Sequence, residues 1–245
     1  MRILEGKGVT KHFGGLAAIS NVDFEIDRGE IVGLIGPNGA GKTTLFNLIS
    51  AALSLNSGEI RFKGEKISGL KPHQVCRAGV ARTFQSVKIF GNIPVLGNVL
   101  LGALFGTSTG MSSPDAAKEA MESLEFVGLS EGKATLAKDL TLANQKRLEV
   151  ARALATRPEL LLLDELIAGL NPTETAQAME LVTRIRDRGV TILMIEHVMK
   201  AIISICDRII VLHHGEKIAE GMPQEIATSK KVIEVYLGDQ AYAGS

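Results

Sequence analysis

The chain is 245 residues long and carries 27 basic and 27 acidic side chains, so its net charge at pH 7 is zero. A neutral chain lacks the bulk electrostatic footprint of a nucleic-acid binder, and 4% aromatics with no Trp offer little for a base-stacking platform. Hydrophobic residues at 45% and charged residues at 22% exclude a disordered tail and a small disulfide-stapled scaffold; the length, worth roughly 1.6 domains, fits one large domain or a core carrying an insert.

Residues 1–15 hold no apolar stretch of the signal-peptide kind. No run approaches the ~18 apolar residues of a membrane helix. Membrane contact is therefore expected through a partner. The most apolar stretch, 95–105, is interrupted by Gly97, Asn98 and Gly102. Cys76 and Cys206 form no CxxC pair and read as neutral thiols of a reducing cytoplasm.

In chain order, residues 1–36 read as strands. Positions 22–27 alternate apolar and polar with period two, and 31–35 form a nearly continuous apolar strand of the kind buried on both faces. A glycine-rich loop follows, then a helix over 43–50. Residues 58–63 read as an edge hairpin with a Gly64-Glu65 turn. Positions 106–114 give the strongest loop signal, and Ser113-Pro114-Asp115 opens a helix. From 115 to about 155 the periodicity is helical. After Pro158, short apolar strands at 160–163, 190–195 and 209–212 alternate with helices, one of them over 173–188. Strands alternating with helices imply a mainly parallel sheet. The expected architecture is an α/β core with antiparallel N-terminal strands and a helical insert at about 90–155.

The chemistry is carried by Gly36-Pro37-Asn38-Gly39-Ala40-Gly41-Lys42-Thr43, which matches G-x-x-x-x-G-K-[ST]. The glycines let backbone N–H groups curl round phosphate oxygens, and the helix that follows points its positive end at the same anion. Lys42 supplies a charge for the β- and γ-phosphates, the Thr43 hydroxyl suits Mg²⁺, and Thr44 completes the phosphate-binding segment. A chance turn would not sit between an apolar strand and a helix. The second element is the apolar run Leu160-Leu161-Leu162-Leu163 ending in Asp164-Glu165. Many strands end in acids. Beside a phosphate loop, Asp164 reads as the Mg²⁺ ligand through water and Glu165 as the group that polarises the attacking water.

With these motifs in this order, the whole chain resembles an ABC transporter ATP-binding subunit, and is most similar to the LivG type found in branched-chain amino-acid importers. The narrower likeness rests on Ala81-Arg82-Thr83-Phe84-Gln85 with Phe90 downstream, the run Lys146-Arg147-Leu148-Glu149-Val150-Ala151-Arg152, Ala168-Gly169-Leu170-Asn171-Pro172, Ile195-Glu196-His197 and the ending Val232-Ile233-Glu234-Val235-Tyr236-Leu237-Gly238. The resemblance implies a P-loop ABC ATPase fold with ATP and Mg²⁺ as ligands. It implies that Phe13 stacks on adenine, that Gln85 touches Mg²⁺ and the attacking water, that residues 87–101 meet the membrane subunit, and that residues 168–171 cross a dimer interface. His197, at the C-terminal end of an apolar strand where α/β sheets bind ligands, would contact the γ-phosphate. The implied partners are a second ATP-binding subunit in a homo- or heterodimer, transmembrane permease subunits and, indirectly, a solute-binding protein; no nucleic acid is implied. The implied location is the cytoplasmic face of a membrane.

The sequence departs from the family where an LSGGQ-like segment is expected to close on the ATP of the opposite subunit. Here it reads Leu140-Thr141-Leu142-Ala143-Asn144. Thr141 keeps a hydroxyl, Leu142 and Ala143 replace small or glycine positions, and Asn144 stands where Gln is common. Leu166 follows Asp164-Glu165 where Pro is usual, and Gly97 stands where Glu is usual. The weak signature motivates a non-hydrolysing regulatory subunit as an alternative; intact Lys42, Asp164, Glu165, Gln85 and His197 oppose it. A soluble non-transport ABC ATPase is opposed by the single phosphate loop and the lack of a heptad run, and a GTPase by the lack of a guanine-reading Asn-Lys-x-Asp.

Overall fold

The computed structural model describes residues 1–106 and 111–242. The chain forms two compact units, one from residues 1–71 and 191–245, the other from 72–190.

The first unit opens with the antiparallel pair β1 (Arg2–Phe13) and β2 (Leu16–Asp27). β3 (Ile31–Ile35) is buried at every position, as its unbroken apolar sequence requires. α1 (Lys42–Ile49) follows the glycine-rich loop. β4 (Ser57–Phe62) and β5 (Glu65–Lys66) complete a four-stranded sheet in the order β2-β1-β4-β5. The expected edge hairpin is present as β4 and β5, with β5 at the edge of the sheet, and its turn lies one residue earlier than expected. The turn uses Lys63 and Gly64, both at positive φ.

The second unit begins with α2 (Pro72–Ala78) and β6 (Val80–Arg82). Residues 95–105, read as a broken apolar stretch, belong to a helix, α3 (Val95–Gly106). Asn98 is fully buried in it, and Gly102 lets it approach its neighbour: a Cβ there would lie 2.3 Å from the Arg152 carbonyl oxygen. Part of the expected 106–114 loop, 107–110, lies outside the described residues. α4 (Ser113–Val127) is capped by the Ser112 hydroxyl, which accepts the Asp115 amide, and ends at left-handed Gly128. The helical periodicity read over 115–155 resolves into two helices: residues 128–141 are irregular apart from a short 3₁₀ turn, and α5 (Leu142–Leu154) follows. β7 (Leu160–Asp164) runs parallel to β6, pairing Val80 with Leu160 and Arg82 with Leu162. α6 (Pro172–Asp187) starts with a capping box between Asn171 and Glu174.

The chain then returns to the first unit. β8 (Thr191–Ile195) pairs in parallel with β3, and after α7 (Met199–Ile205), β9 (Arg208–His213) pairs in parallel with the other side of β3. β10 (Glu216–Gly221) adds antiparallel to β9. α8 (Pro223–Thr228) and α9 (Lys230–Tyr242) end the described chain. Phe24, Phe46 and Phe62, all fully buried, anchor this unit's core.

Candidate functional site

In the first unit, residues 36–41 join the C-terminal end of β3 to the N-terminus of α1. Gly36 is obligatory: its φ is +149°, and a Cβ would lie 2.1 Å from the Leu212 carbonyl oxygen. Gly41, at φ +103°, occupies the cap position of α1, so its helix amides and those of Lys42 and Thr43 begin the helix's positive end. The loop is held from beneath. The Gly215 amide donates to the Ala40 carbonyl at 3.0 Å, and the Ser20 amide donates to the Gly215 carbonyl at 2.8 Å. The buried Lys42 ammonium donates to the carbonyls of Gly36 and Pro37 at 2.6 and 2.8 Å. A lysine folded over the mouth of its own loop is positioned to meet an anion that enters it. Asn38, Gly39 and Thr43 are exposed, Thr44 is half-buried, and Pro37 and Ala40 are buried.

Two further candidate residues of this unit are exposed. Phe13 ends β1 with 48% of its surface exposed, which excludes a plain core role, and the Lys11 ammonium lies 5.3 Å from its ring centroid. His197 is exposed just beyond the C-terminal end of β8, while its neighbour Glu196 is buried. Sequence reasoning missed Tyr236: its phenol oxygen is hydrogen-bonded by the Gly36 backbone, and burial pushes its pKa up. No local pattern could have tied a residue of α9 to the start of the loop.

In the second unit, Asp164 and Glu165 stand at the C-terminal end of β7, and the β6–β7 register sets the Gln85 segment beside them. The Gln85 amide donates to Glu165 Oε2 at 3.0 Å. Glu165 has φ +51°, a conformation costly for a residue with a Cβ and concentrated at functional positions. The buried Lys146 of α5 stabilises it by donating its ammonium to the Glu165 carbonyl at 2.8 Å. Asp164 is held through its amide by the Thr83 hydroxyl at 3.2 Å and through its carboxylate by Arg82 at 2.9 Å. Arg82 and Lys146 both lay inside motifs quoted for family likeness, and only the packing shows what they hold.

The Thr141 hydroxyl caps α5 by accepting the Asn144 amide at 3.4 Å. Leu142, exposed on its outer side, packs against Gly169: a Cβ on Gly169 would lie 3.0 Å from Leu142 Cδ2. The segments 141–144 and 168–171 are therefore neighbours. Leu166 is buried with Ala143, Leu170 and Leu181 around a small cavity, so its apolar side chain fills space in this unit. Gly97 has room for a side chain, with Ile93 at ordinary contact distance.

Each unit carries oxygen donors of the kind a hard divalent cation takes: the exposed Thr43 hydroxyl in the first, and the buried Asp164 carboxylate and exposed Gln85 amide in the second. This donor chemistry fits Mg²⁺. Among the described residues, no group of three or more His, Cys, Asp or Glu forms a dedicated metal cluster.

Comparison with known proteins places the chain among ATP-binding cassettes. The family model described as ABC transporter matches residues 19–168, and that described as branched-chain amino acid ATP-binding cassette transporter matches residues 216–242. The high-affinity branched-chain amino acid transport ATP-binding protein BraF of Pseudomonas aeruginosa is 42% identical, covering 97% of this chain and 98% of its own length. The corresponding protein LivG of Escherichia coli is 40% identical with the same coverage. Among solved structures, the ADP conformation of an ATP-binding cassette of an ABC transporter superposes with a TM-score of 0.87 at 30% identity, covering 97% of this chain and 99% of that one. A dimeric cassette in a post-hydrolysis state bound to ADP and phosphate superposes with a TM-score of 0.81 at 27% identity, covering 90% and 99%. The chain belongs to the ABC transporter ATP-binding family.

Proposed function

We propose that this chain binds and hydrolyses ATP as the energy-coupling subunit of an importer for branched-chain or related amino acids. The observation that carries the hydrolytic reading is Glu165: strained at φ +51°, braced at its carbonyl by Lys146 and met at its carboxylate by Gln85. A carboxylate so constrained is suited to orient a water and accept its proton, with Gln85 positioning the same water. Residues 36–44 hold the phosphates, Lys42 neutralises their charge, and Phe13 offers its exposed ring to the adenine. His197 is assigned to the γ-phosphate. Thr43, Asp164 and Gln85 would hold Mg²⁺, which supplies charge neutralisation at the phosphates when bound.

The relatives named as branched-chain amino acid transport proteins support the amino-acid assignment, and the dimeric relative supports a second ATP-binding subunit as partner. We assign the chain to the cytoplasmic face of a membrane, with permease subunits as partners, because its relatives are named as ATP-binding proteins of amino acid transport; among the described residues no helix is long and apolar enough to cross a membrane.

The test is ATP turnover with Mg²⁺, for the chain alone and mixed with a candidate partner subunit. Glu165→Gln is expected to keep ATP binding and lose turnover by roughly 100-fold or more. Wild-type turnover in that variant would remove Glu165 from the mechanism.

A heterodimer is favoured by residues 141–144. The Thr141 hydroxyl is engaged as a helix cap, and Leu142 and Ala143 add bulk at the end of α5 that would face the partner's nucleotide. The composite site holding the partner's ATP is then the weaker one. Ala143→Gly is expected to raise turnover of the mixed complex; no change would count against this asymmetry.

A further inference from the structure

Residues 83–94 connect β6 to α3 without helix or strand. Such a segment must satisfy its backbone groups elsewhere. At its far end the fully buried Asn98 side chain accepts the Phe90 amide at 2.8 Å and donates to the carbonyls of Phe90 and Pro94 at 3.1 and 3.2 Å. At its near end Gln85 donates to Glu165. Between them stands Glu149 of α5, a carboxylate only 3% exposed. Its Oε1 accepts the Lys88 amide at 3.1 Å, and the Phe84 backbone donates to the same carboxylate. The Arg152 guanidinium, one turn along α5, approaches it at 3.7 Å.

A buried carboxylate is costly unless its oxygens are hydrogen-bonded and its charge is compensated. Here two backbone amides of one irregular segment, flanking Gln85, supply those bonds. A side chain that served only to fill space would be apolar. α5 is also the helix whose N-terminus begins at Thr141, and whose Lys146 holds the Glu165 carbonyl. One face of α5 therefore grips both the segment that bears Gln85 and the residue that Gln85 touches.

We propose that Glu149 is a positioning residue that clamps residues 84–88 to α5, so that Gln85 stays in register with Glu165 and the segment moves with the Thr141 end of that helix. The inference rests on the reading that Gln85 and Glu165 act together in ATP hydrolysis. Glu149 touches neither nucleotide nor water in this scheme. It acts through the backbone on either side of Gln85.

The experiment uses the full chain, with a partner subunit where the chain alone is inactive. Amide hydrogen exchange is followed by NMR at Phe84, Lys88 and, as a reference inside α5, Ala153. In Glu149→Ala, exchange at Phe84 and Lys88 is expected to accelerate at least ~10-fold while Ala153 stays protected. Turnover is expected to fall, and adding Gln85→Ala to that variant to cost little more, because both changes break the same arrangement. Glu149→Gln, which keeps an accepting oxygen, is expected to restore part of both. Unchanged exchange at Lys88 in folded Glu149→Ala overturns the clamp, as do losses from Glu149→Ala and Gln85→Ala that multiply independently. If Gln85→Ala alone leaves turnover intact, the reading of Gln85 fails while the exchange data still judge the clamp. If Glu149→Ala does not fold, Glu149→Gln is read alone: several-fold faster exchange at Lys88 supports the clamp and none overturns it.

Discussion

The Arg82 guanidinium meets the Asp164 carboxylate at 2.9 Å, with the two side chains 8% and 1% exposed. β6 ends at Arg82 and β7 at Asp164. The parallel register pairs Arg82 with Leu162, two residues before Asp164, and the long guanidinium side chain spans that offset, so a basic residue quoted only as part of a family-like string becomes the counter-ion of the proposed Mg²⁺ ligand.

Breaking a buried pair leaves a desolvated charge behind, which is the expensive case. Arg82→Ala is expected to lower stability by about 3 kcal/mol, read as a lower urea midpoint with an unchanged slope. Arg82→Lys should recover only part of this, because an ammonium lacks the guanidinium fork. In an Asp164→Ala background the same Arg82→Ala change should cost much less. Equal costs in both backgrounds would mean that the pair contributes nothing.

Lys42 donates to two carbonyls of its own loop. Lys42→Ala removes a charge-assisted donor worth roughly 1.5–3 kcal/mol to a bound phosphate. ATP affinity, followed with a fluorescent ATP analogue, should therefore fall roughly 10- to 100-fold. An affinity within twofold of wild type would place the phosphates elsewhere.

Burial holds the Glu149 carboxyl above its ordinary value of 4.5, against the opposing Lys88 and Phe84 amides and the charges of Arg152 and Lys146. The folded chain thus keeps this proton at pH values where the unfolded chain has released it. The resulting stabilisation is fully present below the unfolded pKa and is lost as pH rises through the folded one. The stability difference between wild type and Glu149→Gln is expected to move against wild type as pH rises from 4.5 toward neutrality, measured by urea unfolding at several pH values. A difference that does not vary with pH would refute the raised pKa.

Burial pushes the Cys206 thiol up to about 12, with Asp207 and Glu196 adding to the effect. The thiolate is the reactive form. Cys206 should resist a disulfide reagent at pH 8 in the native chain and react fully once urea unfolds it. Cys76, half-buried and also raised by burial, should react before it. Rapid native labelling of Cys206 would contradict the packing of α7 against Gly33 of β3, where Cys206 Sγ lies 3.2 Å from a Cβ built on that glycine.

Some features were legible because they are local. Residues 36–43 need positive φ and bare backbone at fixed spacing, and few residue types allow that, so the motif named its conformation. The apolar run 160–163 ending in two acids named a buried strand and its polar end for the same reason. Other features were not legible. The turn residues beside 58–63 showed a hairpin but not that β1 would flank β4 on its other side. The apolar stretch broken by Gly97 and Gly102 forms a helix whose Gly102 admits the backbone of α5, a packing partner no local pattern reveals. The helical pattern over 115–155 carried no signal strong enough to mark the irregular 128–141.

By itself, then, the sequence determined the phosphate loop, the acidic end of β7 and the family likeness, since each depends on neighbours a few residues apart. Only the tertiary structure decided what holds those groups: Arg82 on Asp164, Lys146 on the Glu165 carbonyl, Glu149 on the Lys88 amide and Tyr236 at Gly36. These partners lie 19 to 200 residues apart in the chain. A buried charge or phenol must find its compensating group wherever packing brings one near, and that proximity is set by strand register and helix docking, which no local pattern encodes.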